Sequence, residues 1–161
     1  MAETVKNFES CLVTVKEKTA IVTLNRPEKM NALNPELFGG IAASFSYLAS
    51  EDDVRAVILT GAGDHFSAGG DVEQDINPLR TKSVNEFRAY FESLADLYEM
   101  VFNFNKPTIA AINGYALGAG LEFALMCDIR IAAENSQMGE FFVRMGLVPE
   151  TGMCMLPKIV G

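Results

Sequence analysis

Residues 108–122 read TIAAINGYALGAGLE: five apolar or β-branched residues, a turn with three glycines, and the first residues of an apolar helix. The first five are typical of a buried strand. A strand that leads through a glycine turn into a helix is half of a strand–helix–strand unit, in which successive strands lie parallel. Residues 54–70 repeat the arrangement, because an apolar strand over 54–60 runs into a glycine-rich segment. The chain is therefore predicted to be an α/β protein with a parallel sheet.

The N-terminal third adds two strands and a helix to this pattern. Residues 11–15 and 19–24 alternate between apolar and polar side chains, which predicts a hairpin-like pair of strands joined by a polar turn. Asn34 is a good N-cap residue and Pro35 suits the first helical position, so a helix is predicted to begin there. It is expected to end before the carboxylates at 51–53, since negative charge is unfavourable at a helix C-terminus.

The longest helix is predicted to begin after residue 83. The sequence SVNE at 83–86 has the form of a capping box, and apolar residues then recur at intervals of three and four up to residue 101. Residues 72–82, which contain an Asn-Pro breaker, are predicted to be a mobile loop. A helix over 121–127 and a strand over 128–132 complete the predicted order β-β-α-β-α-β-α-β.

Length and charge narrow the classes of function. The chain has 161 residues, of which 49% are apolar, so it is expected to form one domain over residues 1–161. Thirteen Lys and Arg against 21 Asp and Glu give a net charge of −8, which argues against a nucleic-acid partner because phosphate contacts need a basic face. No apolar run reaches the roughly 18–20 residues of a membrane span, and the N-terminus lacks the apolar core of a secretory signal. A soluble, cytoplasmic protein is expected.

Cysteine and histidine chemistry is not expected. The cysteines Cys11, Cys127 and Cys154 are odd in number and widely spaced, which does not suit a disulfide framework or a zinc site, and they are predicted to be buried. His65 is the only histidine, and it lies in a polar turn with no G-x-S-x-G motif to accompany it, so it is predicted to be a loop residue. No metal ion is predicted.

The two glycine turns do not fit a nucleotide-binding loop. A dinucleotide motif needs glycine where Phe66 and Phe123 stand, and a P-loop needs a Gly-Lys-Ser/Thr ending that neither turn has. One alternative is a pair of tight turns with no role beyond topology. The other is that N–H groups of the two turns, helped by a helix N-terminus, stabilise a developing oxyanion such as that of a thioester enolate.

Residues 25–33, 66–71 and 113–122 together resemble the enoyl-CoA hydratase/isomerase (crotonase) family, as do residues 124–128. The resemblance extends in order from about residue 12 to the last residue. It implies a ββα superhelix, acyl-CoA thioester substrates, no cofactor apart from the CoA of the substrate, and a homotrimer or hexamer. The C-terminal helices of the family have no counterpart after Gly161, so the chain resembles the N-terminal core portion of the family.

The resemblance also implies which residues bind the ligand. Ala68 and Ala119 match the two N–H donors of the oxyanion hole. Arg26 and Lys29 lie in the segment near the CoA nucleotide and would be local cations for an anionic ligand, with a solvated surface lysine as an equal alternative for Lys29. The other substrate-binding positions implied by the motifs are Gly69, Asp71, Gly118 and Phe142. Asp71 also suits a structural role in its turn.

Two glutamates are candidates for the proton transfer. Hydration in the family uses two glutamates around one water; one matches Glu122, but the other matches Phe142, which cannot move a proton. Glu140 lies two residues earlier and is expected to face elsewhere. Some family members that shift double bonds carry their acid/base carboxylate in a later turn, after Gly-Leu-Val-Pro, and Glu150 follows that sequence here.

The preferred prediction is therefore isomerisation of an enoyl-CoA by Glu150, with the thioester enolate held in the oxyanion hole. Hydration of a 2-enoyl-CoA by Glu122 is the first alternative. The second alternative is a chain that binds CoA esters, or assembles with like chains, without turning them over.

Overall fold

The computed structural model describes residues 4–161 as a layered arrangement of eight strands and several helices. The strands are β1 (Thr4–Phe8), β2 (Cys11–Lys16), β3 (Thr19–Leu24), β4 (Ala56–Gly61), β5 (Thr108–Ile112), β6 (Tyr115–Leu117), β7 (Ile129–Ala132) and β8 (Gln137–Gly139). The α-helices are α1 (Pro35–Ala49), α2 (Asn77–Leu79), α3 (Val84–Phe102), α4 (Ala119–Met126) and α5 (Gly152–Val160). Short 3-10 turns cover Pro27–Lys29 and Phe142–Met145, and a π-helical turn covers Val72–Ile76.

The main sheet has six strands in the order β1-β2-β3-β4-β5-β7. The first three strands pair antiparallel, whereas β3, β4, β5 and β7 run parallel. This confirms the predicted parallel sheet and the hairpin at its edge. Strand β1 was not predicted, because its side chains are exposed on both faces and show no alternation of apolar and polar residues.

A second row of short parallel pairings lies beside the main sheet. Leu33 bridges to Gly70, Ser67 bridges to Ala116, and β6 pairs with β8. Each turn of the chain thus contributes one strand to the main sheet, one short extended segment to the second row, and then a helical segment. The repeated unit is a ββα turn that stacks on the one before it, so the predicted ββα superhelix is confirmed.

Local signals fix where the two long helices begin and end. The Asn34 side chain accepts the Leu37 N–H at 2.9 Å, and α1 ends at Ala49, before the acidic segment, as predicted. Ser83 and Glu86 form the predicted capping box at the start of α3. The apolar faces of both helices lie in one core with the sheet, where Leu37, Ile41 and Phe45 are fully buried. No helix within residues 4–161 is long and apolar enough to cross a membrane.

The prediction of a mobile loop over residues 72–82 is wrong for its first part. The Asp71 side chain accepts the N–H groups of Glu73 and Gln74, both at 3.0 Å, and so caps a π-helical turn that continues into α2. The Asn77-Pro78 pair does not break this segment, because the proline lies in the first turn of α2, where its missing N–H has no helical acceptor.

Two neighbouring glycines of α1 provide a test of how closely this helix approaches the sheet. A Cβ added at Gly40 would lie 2.6 Å from the Phe8 carbonyl oxygen and 3.2 Å from Cys11 Sγ, whereas one at Gly39 would meet only the flexible Glu9 side chain, at 3.3 Å. Gly40→Ala is expected to lower the free energy of unfolding by about 1–3 kcal/mol through overpacking. Gly39→Ala is the matched control and is expected to raise it by about 0.5–1 kcal/mol through helix propensity.

Urea unfolding followed by circular dichroism measures both variants. A Gly40→Ala protein as stable as the Gly39→Ala protein would show that α1 does not contact the β1–β2 turn in solution.

Candidate active site

The two glycine turns identified from the sequence lie side by side. The Ser67 N–H donates to the Tyr115 carbonyl at 2.9 Å, and the Leu117 N–H donates to the Ser67 carbonyl at 3.0 Å. Gly69 has a φ of +92°, and a Cβ there would come 2.7 Å from the Leu117 carbonyl oxygen. Only glycine therefore allows the first turn to lie this close to the second. The two glycine turns are therefore in contact, as an oxyanion hole built from both of them requires.

The N–H group of Ala68 is not free, which contradicts its predicted role as an oxyanion donor. It donates to the Met30 carbonyl at 2.9 Å. Within residues 4–161, the N–H groups of Gly70 and Ala119 have no protein acceptor. Ala119 is the first residue of α4, so its N–H is one of those that a helix leaves unpaired. The available pair of donors is thus Gly70 and Ala119.

Gly70 and Ala119, whose N–H groups are free, both line a cavity of about 360 Å³, a size within the range of small-molecule sites. Most of its wall is apolar, and it includes the ring of Phe142, which lies 3.6 Å from a Cβ position at Gly118. The polar side chains that line it are Asp75, Tyr90, Tyr98, Arg144 and Glu150. The cavity therefore joins a pair of main-chain donors to an apolar wall and a few ionisable groups.

Glu122 is fully buried behind this cavity and does not line it. Its Oε1 accepts the Glu150 N–H at 2.7 Å and the Gly152 N–H at 2.8 Å, while its Oε2 is buried without a hydrogen-bond partner. Burial raises the pKa of this carboxyl, and the N–H groups of Gly152 and Glu150 oppose that rise. Glu122 thus holds the main chain of the turn at 150–152.

Glu150 is itself one of the residues that line the cavity. Burial, followed by the nearby charge of Glu122, raises its pKa to about 7. A carboxyl with such a pKa is ionised in about half of the molecules at neutral pH, so it can both accept and return a proton. Of the two predicted catalytic glutamates, only Glu150 therefore lies at the cavity wall.

Glu140 does not face away from the site, which contradicts its predicted orientation. A Cβ added at Gly152 would collide with Glu140 Oε1 and lie 3.1 Å from Glu122 Oε1, so the two carboxyls share one pocket behind the cavity. Both Glu140 oxygens are buried without a hydrogen-bond partner. Burial, followed by the charge of Glu122, raises the Glu140 pKa to about 7. The inward turn follows directly on β8, whose last residue, Gly139, accepts the Gly118 N–H at 2.8 Å.

Two tyrosines of α3 contribute to the site, although their sequence pattern indicated only an apolar helix face. The Tyr90 hydroxyl donates to Asp75 Oδ1 at 2.5 Å. The Tyr98 hydroxyl is buried, and its pKa is raised by burial and by the charges of Glu150 and Glu122. Both phenols therefore stay protonated. Asp75 was missed because it lies in the segment predicted to be a loop, where one sequence gives no signal for a buried carboxylate.

The predicted CoA-contacting cations lie in different surroundings. Arg26 is paired with Asp71 at 3.1 Å, and the two side chains are only 9% and 8% exposed. Burial would raise the Asp71 pKa, but the Gln74 N–H, Arg26 and the Glu73 N–H together hold it below its ordinary value. Lys29 is exposed and lies 3.7 Å from Glu73. Arg26 thus stabilises the fold through its ion pair, whereas Lys29 is exposed to solvent.

The histidine and the cysteines lie outside the cavity wall. The His65 ring stacks on Tyr115 and its Nδ1 accepts the Tyr115 N–H at 3.3 Å, which agrees with a structural loop residue. Cys11 and Cys127 are buried as predicted, and burial raises the pKa of each thiol to about 12. Cys154 is exposed, contrary to the prediction, because it lies on the open side of α5. Within residues 4–161, no three His, Cys, Asp or Glu side chains are grouped to hold a metal ion.

Comparison with known proteins identifies the family of this fold. The profile of the enoyl-CoA hydratase/isomerase family matches residues 14–161. The chain is 38% identical over 156 residues to the crotonyl-CoA hydratase of Syntrophomonas wolfei, covering 96% of this chain and 58% of that protein. It is also 38% identical over 146 residues to the short-chain-enoyl-CoA hydratase of Clostridium acetobutylicum, covering 89% of this chain and 54% of that protein.

Solved structures show the same fold. The crystal structure of an enoyl-CoA hydratase from Shewanella pealeana superimposes with a TM-score of 0.89 at 25% sequence identity, covering 96% of this chain and 58% of the other. The chain thus spans just over half the length of the curated relatives that it matches. With a family profile that matches almost all of its residues, the chain belongs to the enoyl-CoA hydratase/isomerase family.

Proposed function

We propose that this chain binds acyl-CoA thioesters and shifts the double bond of an enoyl-CoA through an enolate. The observation that carries the proposal is the position of one carboxyl. Glu150 lines the same cavity as the free N–H groups of Gly70 and Ala119, whereas Glu122 is held behind the wall by two main-chain hydrogen bonds. A single carboxyl suffices for isomerisation, because it can remove a proton from one carbon and return it to another.

In the proposed reaction, the thioester oxygen accepts hydrogen bonds from the N–H groups of Gly70 and Ala119. Glu150 removes a proton from C2 of a 3-enoyl-CoA, the electron pair moves onto the thioester oxygen, and the two N–H groups stabilise the resulting dienolate. Glu150 then returns the proton to C4, which leaves a 2-enoyl-CoA and the original carboxylate. The apolar wall at Phe142 supports this chemistry, since it excludes water that would otherwise compete for the intermediate.

Hydration of a 2-enoyl-CoA remains the second candidate. Relatives over nearly the whole chain carry the names crotonyl-CoA hydratase and short-chain-enoyl-CoA hydratase. Glu140 and Glu122 also lie against each other, which gives a pair of carboxyls although Phe142 occupies the usual position of the second one. Opening of the turn at 150–152 would be needed to bring that pair to the cavity, because neither side chain lines it. Isomerisation needs no such movement.

A pair of isosteric variants distinguishes the role of Glu150 from that of Glu122. Glu150→Gln is expected to reduce 3-enoyl-CoA isomerisation by about a hundredfold or more, because the proton acceptor is removed. Glu122→Gln is the matched control and is expected to reduce it by less than about tenfold, since the amide oxygen can still accept both N–H groups. Conversion of 3-hexenoyl-CoA followed by chromatography measures both.

Water addition to 2-hexenoyl-CoA is measured on the same proteins and on Glu140→Gln. Isomerisation that survives Glu150→Gln would remove the proposed base. Water addition that is faster than isomerisation and is lost in both Glu122→Gln and Glu140→Gln would assign hydration instead. Binding of either ester without any product would support the non-catalytic alternative.

The pH dependence of isomerisation is expected to follow Glu150. The carboxyl must be ionised to remove the proton, and its pKa is raised to about 7 by burial and by the charge of Glu122. The value of kcat/KM should therefore rise about tenfold per pH unit below pH 7 and level off above it. Stopped-flow absorbance between pH 5 and pH 9 measures the profile.

Glu122→Gln serves as a control on this profile, because it removes the neighbouring negative charge and should move the inflection to lower pH. A profile that stays flat from pH 5 to pH 9 in the wild-type protein would contradict a titrating Glu150 base.

A further inference from the structure

A group of buried oxygen atoms behind the cavity wall has no part in the proposed proton transfer. Glu122 Oε2, both carboxyl oxygens of Glu140 and the hydroxyls of Tyr98 and Thr151 are buried, and none has a hydrogen-bond partner in the described chain. Buried polar atoms are usually paired, because an unpaired one loses its hydration and gains nothing in return. The two carboxyls of this group therefore need a partner that the heavy atoms alone do not show.

These two carboxyls lie against each other at Gly152. The position of a Cβ built on Gly152 is 2.8 Å from Glu140 Cδ and 3.1 Å from Glu122 Oε1. No lysine or arginine within residues 4–161 forms an ion pair with either glutamate. Two buried carboxylates at such close quarters repel each other, since their surroundings screen charge poorly. A positive charge is therefore missing from the pair.

A proton supplies that charge in less space than a metal ion needs. A Cβ at Gly152 would collide with Glu140 Oε1, so the space at this turn is already filled. The part of the chain that the structure describes also groups no three His, Cys, Asp or Glu side chains that could hold a metal ion. A proton between two carboxyls needs only one donor oxygen and one acceptor oxygen, and it pairs both of them.

The hydrogen bonds of the pair decide which glutamate holds the proton. Glu122 Oε1 accepts the N–H groups of Glu150 and Gly152 at 2.7 and 2.8 Å, and such bonds favour the ionised form. Glu140 accepts none, and burial, followed by the charge of Glu122, raises its pKa to about 7. The other ionisable groups nearby, Glu150 and the Tyr98 hydroxyl, act on Glu122 and not on Glu140. Glu140 is therefore the acid of the pair.

We propose that Glu140 is protonated in the folded chain, that it shares this proton with the Glu122 carboxylate, and that the shared proton stabilises the turn carrying Glu150. The free acceptor is Glu122 Oε2. With a neutral partner, Glu122 holds the N–H groups of residues 150 and 152 without a second buried charge beside it. Glu140 is thus a positioning residue that acts through Glu122, and its part in the reaction rests on the proposed function of Glu150.

A titration followed by NMR measures the protonation of Glu140 directly. The chain is labelled with ¹³C, and the carboxyl carbon of Glu140 is followed from pH 4 to pH 9, with its signal identified by its absence from Glu140→Gln. The shared proton predicts a midpoint near pH 7. In Glu122→Gln the neighbouring negative charge is removed, so the midpoint should move to lower pH.

The pH dependence of unfolding is a second test. The folded chain keeps a proton on Glu140 that the unfolded chain releases at lower pH, so the stability from this group is present at low pH and is lost as the pH rises toward 7. Between pH 5.5 and pH 6.5 the equilibrium constant for urea unfolding should rise roughly five- to tenfold more in the wild type than in Glu140→Gln. Glu134→Gln removes an exposed carboxylate after β7 and should keep the wild-type pH dependence.

Two replacements of Glu140 separate its hydrogen bond from its bulk. Glu140→Gln keeps a donor for Glu122 in its amide N–H, whereas Glu140→Leu has a similar volume and no donor. At pH 6, kcat for isomerisation of 3-hexenoyl-CoA should be at least about fivefold higher in Glu140→Gln than in Glu140→Leu, as one net hydrogen bond would give, with KM changed less than about twofold. Equal kcat values in the two folded variants would contradict the positioning role.

The outcomes separate this inference from the proposed function, because neither the titration nor the unfolding measurement needs a substrate. A Glu140 midpoint at the ordinary value for glutamate, about 4.3, would overturn the shared proton. An equal pH dependence of unfolding in the wild type and in Glu140→Gln would overturn it as well. Absence of isomerisation in every protein would overturn the proposed function and the positioning role, whereas a midpoint near pH 7 would still support the shared proton.

Discussion

The hydrogen bonds from the main chain of residues 150 and 152 to Glu122 Oε1 are the interaction on which the site depends. They join α4 to the segment that leads into α5, at 2.7 and 2.8 Å. They also determine which glutamate borders the cavity: the Glu122 oxygens are occupied or enclosed, whereas Glu150 is one of the residues that line the wall. A buried carboxylate is stable here because two N–H donors replace part of its lost hydration.

The same arrangement explains why the pKa values of Glu140 and Glu150 are raised to about 7 and why that of Glu122 is also raised. Glu122 lies close to both Glu140 and Glu150, and burial is the main cause of the raised pKa of each of the three. The repulsion from Glu122 adds to the pKa of the other two, so protons are retained on the cluster at a pH where isolated glutamates are fully ionised. A proton that is held near pH 7 is what a transfer between two carbon atoms requires.

Much of the fold could be predicted from the sequence because its signals are local. Apolar strands followed by glycine turns predicted the parallel sheet, and Asn34 and Ser83 predicted where the long helices begin. The choice of oxyanion donor could not be predicted in this way. Ala68 is excluded by the carbonyl of Met30, which is distant in sequence, and that contact exists only after the second row of strands has formed.

The carboxylates that were missed follow the same rule. Glu140 turns inward because β8 pairs with β6, and Asp75 is buried because Tyr90 of α3 packs over a turn that Asp71 caps. Each position results from long-range pairing, so the residue itself carries no signal in one sequence. Arg26 shows the converse case. The motif associates this cation with the ligand, but in the fold it forms a buried ion pair with Asp71.

Hydrogen exchange at C2 of a saturated ester tests most directly whether Glu150 removes a proton beside the thioester carbonyl. Butanoyl-CoA is incubated with the chain in D2O, and loss of the C2 proton signal is followed by NMR. A base at Glu150 with N–H donors at Gly70 and Ala119 predicts exchange with the wild-type chain and none above background with Glu150→Gln. Exchange that continues in Glu150→Gln and stops in Glu122→Gln would contradict it.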